Sequence, residues 1–348
     1  MHLKKFTYHI ILPMKKTLFS LSLIIFALST SASTPLWLRD LKISPDGSQL
    51  LFTYKGDIYK VASNGGNAVR LTTMDSYEAT PIWSPDGKTI AFTSDRNGGQ
   101  DIFTMSANGG KATRITFSSE SETPEAFTPD GKNIIFSAAL QDPVSSAMFP
   151  SRRLTELYSV PVNGGRIKMV LASPAQMISY VADGKSFVYQ DQKGMENEWR
   201  KHHTSSITRD IWLYNATTGK HSNLTDHAGE DRNPVMGIDG KTVYFLSERK
   251  GGSMNVYSFP IDNPQSVTAV TSFKTHPVRF LSQGTDGTLA FTYNGEIYTK
   301  KGSSKPSKVA INIISDDEPE MKKLNVASGA SAATVSPDGK QIALSCAC

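Results

Sequence analysis

The feature that most constrains this chain is a tetrapeptide that ends one strand and starts the next. Ser-Pro-Asp-Gly occurs at Ser44–Gly47, Ser84–Gly87 and Ser336–Gly339. Weaker copies stand at Thr128–Gly131, Ala182–Gly184, Ile238–Gly240 and Thr285–Gly287. Proline fixes φ at the second turn position, and glycine tolerates the positive φ that closes the turn. The glycines Gly47, Gly87, Gly131, Gly184, Gly240, Gly287 and Gly339 are 40, 44, 53, 56, 47 and 52 residues apart. That period matches one four-stranded propeller blade per unit, with extra residues in some loops.

The second unit shows the blade most plainly. ATPIWS is a first strand, PDG a tight turn, and IAFTS a second strand rich in apolar and β-favouring residues. SDRNGGQ reverses the chain into DIFTMSA, and NGG reverses it again into ATRIT. The third strand recurs as Asp57-Ile58-Tyr59, Asp101-Ile102-Phe103, Glu156-Leu157-Tyr158, Asp210-Ile211-Trp212, Asn255-Val256-Tyr257 and Glu296-Ile297-Tyr298. An acid or amide, an aliphatic and an aromatic suit a strand with one polar end and two buried faces. No helical period of comparable length follows residue 32.

The expected fold is therefore all-β: a six-bladed β-propeller of four-stranded blades over residues 33–312, a linker over 313–330, and the truncated first strands of a second propeller over 331–348. A lone half-blade buries neither face and leaves a raw sheet edge. Cys346-Ala347-Cys348 is thus expected to reflect a frame error or an artificial boundary rather than chemistry.

Composition removes one class of partner. The formal charge is +5, yet residues 1–32 carry Lys4, Lys5, Lys15 and Lys16 and no acid, which leaves 33 basic against 32 acidic residues and a net of +1. A near-neutral body gives no basis for a nucleic-acid partner. Residues 1–32 read as a signal peptide: Lys15 and Lys16, the apolar run Thr17–Leu28, then STSAST with cleavage expected after Ala32. Met14 opens so complete a signal that it is an alternative start. The apolar run is shorter than the ~20 residues a membrane helix needs, and no cysteine follows it to take a lipid. The expected location is periplasmic or otherwise extracytoplasmic, with no membrane anchor after cleavage.

Repeats of the form W-S-P-D-G-K-x-I-A-F-x-S-D-R…D-I-Y…G-G…R-L-T resemble two families, TolB and the Tricorn-type serine peptidases. Here the repeats begin at Trp37-Leu38-Arg39, which leaves no room for the α/β domain that precedes the TolB propeller. Six units, a linker and a fresh start resemble the Tricorn order. Glu196–Asn215, Gly229–Pro234 and Phe273–Ser282 are also similar to extracytoplasmic Tricorn-related proteins of bacteria. The resemblance implies a second propeller, a PDZ domain and a C-terminal peptidase domain whose serine, histidine and acid have no counterpart in this chain. It implies a propeller that guides or filters peptides and docks to the peptidase's own C-terminal domains. It also implies full-length relatives that homo-oligomerise. Alternatives are a TolB-like envelope protein-binding propeller and a propeller enzyme acting on glycans.

The sequence contains no G-x-S-x-G, no H-E-x-x-H and no phosphate-binding glycine loop. No catalytic residue, cofactor or metal is expected. Cys346 and Cys348 cannot make a four-ligand zinc site. His202, His203, His221 and His227 share the fourth unit, but neighbouring side chains on extended backbone point apart. A glycan enzyme would need paired carboxylates near the channel, for which Glu78, Glu122 and Glu230 are the candidates. Binding is expected on long insertions between second and third strands, 138–155 in unit three and 190–209 in unit four. These share a face with the inter-blade loops, opposite the PDG turns. The candidate patch is Arg152, Arg153, Trp199, Arg200, His202 and His203 beside Glu230, Asp231 and Arg232. There arginine can hold a peptide carboxylate and tryptophan can pack against an apolar side chain.

Overall fold

A computed structural model describes residues 35–140, 154–195, 197, 199, 202, 204–250, 252–314 and 330–346. Blade one contains β1 (Arg39–Ile43), β2 (Gln49–Tyr54), β3 (Asp57–Ala62) and β4 (Gly66–Arg70). Blade two contains β5 (Glu78–Trp83), β6 (Thr89–Ser94), β7 (Asp101–Ser106) and β8 (Thr113–Arg114). In blade three β9 (Glu122–Phe127) and β10 (Asn133–Ala138) precede β11 (Glu156–Pro161) and β12 (Lys168–Leu171). In blade four β13 (Ala175–Tyr180) and β14 (Phe187–Asp191) precede β15 (Ile211–Asn215) and β16 (Lys220–Asn223). Blade five runs β17 (Asp231–Met236), β18 (Thr242–Ser247), β19 (Asn255–Pro260) and β20 (Thr268–Ala269). Blade six runs β21 (Val278–Gln283), β22 (Thr288–Tyr293), β23 (Glu296–Lys301) and β24 (Ser307–Lys308). Each blade is an antiparallel meander, and the six form the expected propeller.

The tetrapeptide earns its repetition through hydrogen bonding. In the first copy Ser44 Oγ donates to Asp46 Oδ1 at 2.6 Å and accepts from the Gln49 amide at 2.9 Å, while the Gly47 amide donates to the Ser44 carbonyl. Ser84 and Thr128 repeat this geometry. Gly47, Gly87 and Gly131 sit at φ of 77°, 69° and 70°, where a Cβ would be strained.

The core consists of six apolar clusters, one at each blade–blade seam. Strand alternation makes this possible, because neighbouring side chains face opposite blades. On β2, Leu50 and Phe52 pack toward blade six while Leu51 packs toward blade two. The aliphatic of each third-strand motif, Ile58, Ile102, Leu157, Ile211, Val256 and Ile297, is fully buried. The aromatic beside it pairs across the ladder with a second-strand aromatic, as in Phe52–Tyr59, Phe136–Tyr158 and Phe291–Tyr298.

Two features have no sequence counterpart. A short strand, β25 (Ile311–Ile313), pairs in parallel with the outer edge of β4, so the chain leaving blade six closes the ring on blade one. The inner strands also bulge: Asp40, Thr80, Met177, Asn233 and Phe280 adopt φ between 49° and 54° where the ladder slips register. The bulges turn polar groups toward neighbouring blades. Glu125 accepts from the Met177 amide at 2.7 Å, and Asn233 Oδ1 accepts from the Leu281 amide at 2.9 Å.

The seventh unit forms a hairpin, β26 (Ala330–Val335) and β27 (Ile342–Cys346), around the Ser336–Gly339 turn. Val335 and Ile342 are exposed.

Candidate functional site

The propeller has two chemically different faces. At one face the starts of five inner strands, those of blades one, two, three, five and six, are tied to the connection between second and third strands of the preceding blade. The amides of Leu38, Glu78, Glu122, Asp231 and Val278 donate to the carbonyls of Gly295, Gly56, Gln100, Arg209 and Met254. The Pro-Asp-Gly turns lie at the other face, where the Thr285 amide donates to the Pro45 carbonyl at 2.6 Å. Insertions between second and third strands therefore emerge among the blade starts, around the axis.

Close to the axis, Asp40, Lys42, Thr80, Glu125, Met177 and Phe280 line a small cavity of about 50 Å³. Burial pushes the Lys42 ammonium down and the Glu125 carboxyl up, each toward its neutral form. Glu125 also accepts from Ser137 Oγ at 2.8 Å.

Described residues of the blade-four insertion reach neighbouring blades near the axis. Thr204 bridges Gly229 of the next inter-blade loop, and His202 Nδ1 lies 3.4 Å from Glu248. Trp199 reaches the start of blades six and one. The guanidinium carbons of Arg39 and Arg279 lie over its ring, 4.7 and 4.8 Å from the centroid. Arg279 also donates to the Trp199 carbonyl at 3.0 Å, and the Phe280 ring meets the indole edge-on at 6.1 Å. Beneath the indole, Met177, Arg232, Asn233 and Leu246 complete a nearly filled cavity of about 20 Å³.

Of the expected patch, the structure brings Trp199 and Arg232 together in one cavity and sets His202 beside the blade-five loops. Arg152, Arg153, Arg200 and His203 lie outside the described residues. Glu230 and Asp231 are buried rather than presented. Glu230 accepts from Arg209 at 2.6 Å with Arg232 at 3.7 Å, and Asp231 pairs with Arg249. Burial raises the Asp231 carboxyl despite that arginine. These two acids hold the seam between blades four and five; Arg232 is buried as well and lines the small cavity beneath Trp199.

The carboxylates that a glycan enzyme would need are committed elsewhere. Glu78 accepts from Ser94 at 2.8 Å, Arg96 at 3.0 Å and Ser76. Glu122 accepts from Thr116, with the Ser118 hydroxyl also beside it. Both are fully buried in blade seams, with no surface open to a sugar. The described histidines do not gather: His221 meets the Tyr189 hydroxyl at 2.7 Å on the outer part of blade four, and His227 accepts from the Gly229 amide at 3.0 Å.

Sequence reasoning missed Arg39, Arg279, Phe280 and Met177. Arg39 and Arg279 each stand at or beside the start of an inner strand, a position that topology alone marks as axial. No repeat signal announces the bulges that turn Met177 and Phe280 inward.

The family model of the Tricorn protease N-terminal beta propeller domain matches residues 35–306. The crystal structure of the tricorn protease superposes with a TM-score of 0.67 at 22% identity, over 82% of this chain and 27% of that one. TolB from Acinetobacter baumannii gives 0.56 at 18% identity over 76% of this chain and 60% of its own. A TolB from Agrobacterium tumefaciens gives 0.54 at 19% identity over 69% and 83%. The present chain thus spans about a quarter of the length of the tricorn protease it matches. At these identities the superpositions establish the propeller, and the family model establishes the lineage: the chain belongs to the family of Tricorn protease N-terminal beta propeller domains.

Proposed function

We propose that this chain is the non-catalytic, peptide-handling propeller of an exported Tricorn-type serine peptidase. Its loop face receives peptides and docks to the catalytic part. The observation that carries this reading is the placement of Trp199, from the blade-four insertion, against the starts of blades one and six. Its indole lies between Arg39 and Arg279 on a scaffold of paired strands. Guanidinium groups suit peptide carboxylates and carbonyls, and the aromatic suits side chains. The signal-like pattern of residues 1–32 supports an extracytoplasmic location, where short peptides would be the substrates.

Equilibrium dialysis of the protein against a casein digest, read by mass spectrometry, tests this. Retention of peptides by the native protein, reduced at least tenfold by joint Arg39→Glu and Arg279→Glu substitution, is the expected result. No retention of any peptide would refute it. Capture of folded envelope proteins with no peptide retention would favour the TolB-like alternative.

A further inference from the structure

Trp199 occupies its place near the axis much as a ligand would. It arrives on an insertion, is 44% exposed, and makes its ring contacts with residues of other blades. Arg39 comes from blade one, and Arg279 and Phe280 from blade six, while the indole itself belongs to blade four. Two guanidinium groups directed at one ring are more than a surface tryptophan needs to stay folded. Cation–π attraction of this kind selects an aromatic ring over an aliphatic chain of equal size. Under the ring, Met177, Phe280 and Leu246 supply an apolar floor, with Asn233 beside them. That floor rests on the bulges at Met177, Asn233 and Phe280, whose left-handed backbone aims these residues at the axis.

We propose that the Arg39–Arg279–Phe280–Met177 cavity is a binding site for an aromatic side chain of a peptide, held closed by Trp199 as an internal occupant. An incoming Phe, Tyr or Trp displaces the indole and takes its place between the guanidinium groups and the apolar floor. The site therefore discriminates aromatic from aliphatic peptides, and Trp199 competes with its ligands instead of contacting them. This rests on the reading of the loop face as peptide-receiving, but it predicts the opposite sign for one substitution.

The test is the full chain carrying Trp199→Gly, with N-acetyl-tryptophanamide and N-acetyl-leucinamide as probes in calorimetric titration. The variant is expected to bind the tryptophan probe about tenfold more tightly than the native protein does, with the leucine probe little changed. Adding Arg279→Gln to that variant should remove the gain. A second measurement does not require the glycine variant to fold well. With Trp37, Trp83 and Trp212 replaced by Phe, N-acetyl-phenylalaninamide should raise acrylamide quenching of Trp199 as the indole is displaced. Equal binding of both probes, no gain over the native protein, or unchanged quenching would each overturn the proposal. Peptide retention that is lost rather than increased in Trp199→Gly would overturn it while leaving the peptide-receiving face intact. A gain for the tryptophan probe in a protein that retains no digest peptide would keep the aromatic site and end the broader reading.

Discussion

Glu78, Glu122 and Asp231 occupy the same repeat position, the first residue of an inner strand, yet their surroundings differ in one respect. Blades two and five place an arginine two residues beyond the second strand. Arg96 Nη2 lies 3.0 Å from Glu78 and stacks over Phe103, and Arg249 does the same for Asp231 over Phe245. In blade three, IIFSAAL stands where IAFTSDR stands in blade two, so Leu140 replaces the arginine and Ala138 replaces Ser94. Glu122 keeps only hydroxyl donors, Thr116 and Ser118, where Glu78 and Asp231 have a guanidinium; one oxygen of each of the three, Glu122 Oε1, Glu78 Oε2 and Asp231 Oδ1, is buried without a hydrogen bond. Asp101 beside it adds repulsion that Arg114 only partly offsets, and burial raises the Glu122 carboxyl above its usual range. A buried carboxylate with no guanidinium of its own carries an uncompensated cost of about 1–3 kcal/mol, whereas removing one member of a buried ion pair costs about 3–5 kcal/mol. Glu122→Gln should therefore stabilise the propeller by about 1–2 kcal/mol at pH 7, since the amide can donate toward Asp101. Glu78→Gln should destabilise it by about 3 kcal/mol, because Arg96 is left buried. Thermal midpoints are expected to move by roughly 2–4 °C per kcal/mol, in opposite directions. The pH dependence adds a second check. A carboxyl raised in the folded state contributes stability that is fully present below its unfolded pKa of about 4.3 and is lost as pH rises through the folded value. The gain from Glu122→Gln should thus be near zero at pH 4 and grow toward pH 7. A loss at pH 7, or a gain independent of pH, would refute the argument that this carboxylate lacks its partner.

Ile311→Asp should cost about 3–5 kcal/mol, since it puts an unpaired charge into the cluster joining blades six and one. Hydrogen exchange should then show loss of protection at the Gly66 amide, which donates to the Ala310 carbonyl, before the inner strands open. Asn233→Ala should cost about 2–4 kcal/mol, because it removes both hydrogen bonds to Leu281 and keeps a Cβ at a φ of 50°. Asn233→Gly should be milder by about 1 kcal/mol, and the order of the two in urea unfolding checks the backbone contribution.

How much of this molecule is legible in its sequence follows from where symmetry holds. The turns, the six third-strand aliphatics and the aromatic ladder pairs do the same job in every blade, so repetition reveals them. Ile58 and Val256 can be read off each other despite the distance between them, because each fills the equivalent place in its own seam. The site is legible only where a residue departs from the repeat in a visible way. The blade-four insertion is such a departure, which is why Trp199 and His202 could be singled out. The side chains that receive Trp199 are not. Arg39 and Arg279 look like ordinary strand residues, and only closure of the ring brings blades one and six against an insertion from blade four. Glu230 and Asp231 mislead for the opposite reason: they look like exposed loop acids but serve as the buried seam acids of blade five. A repeat fixes what each blade must do for its neighbours, and function resides in the few positions released from that duty. Glu122 and Leu140 show the same logic in the core, where losing one arginine from the repeat leaves a carboxylate whose charge the fold no longer balances.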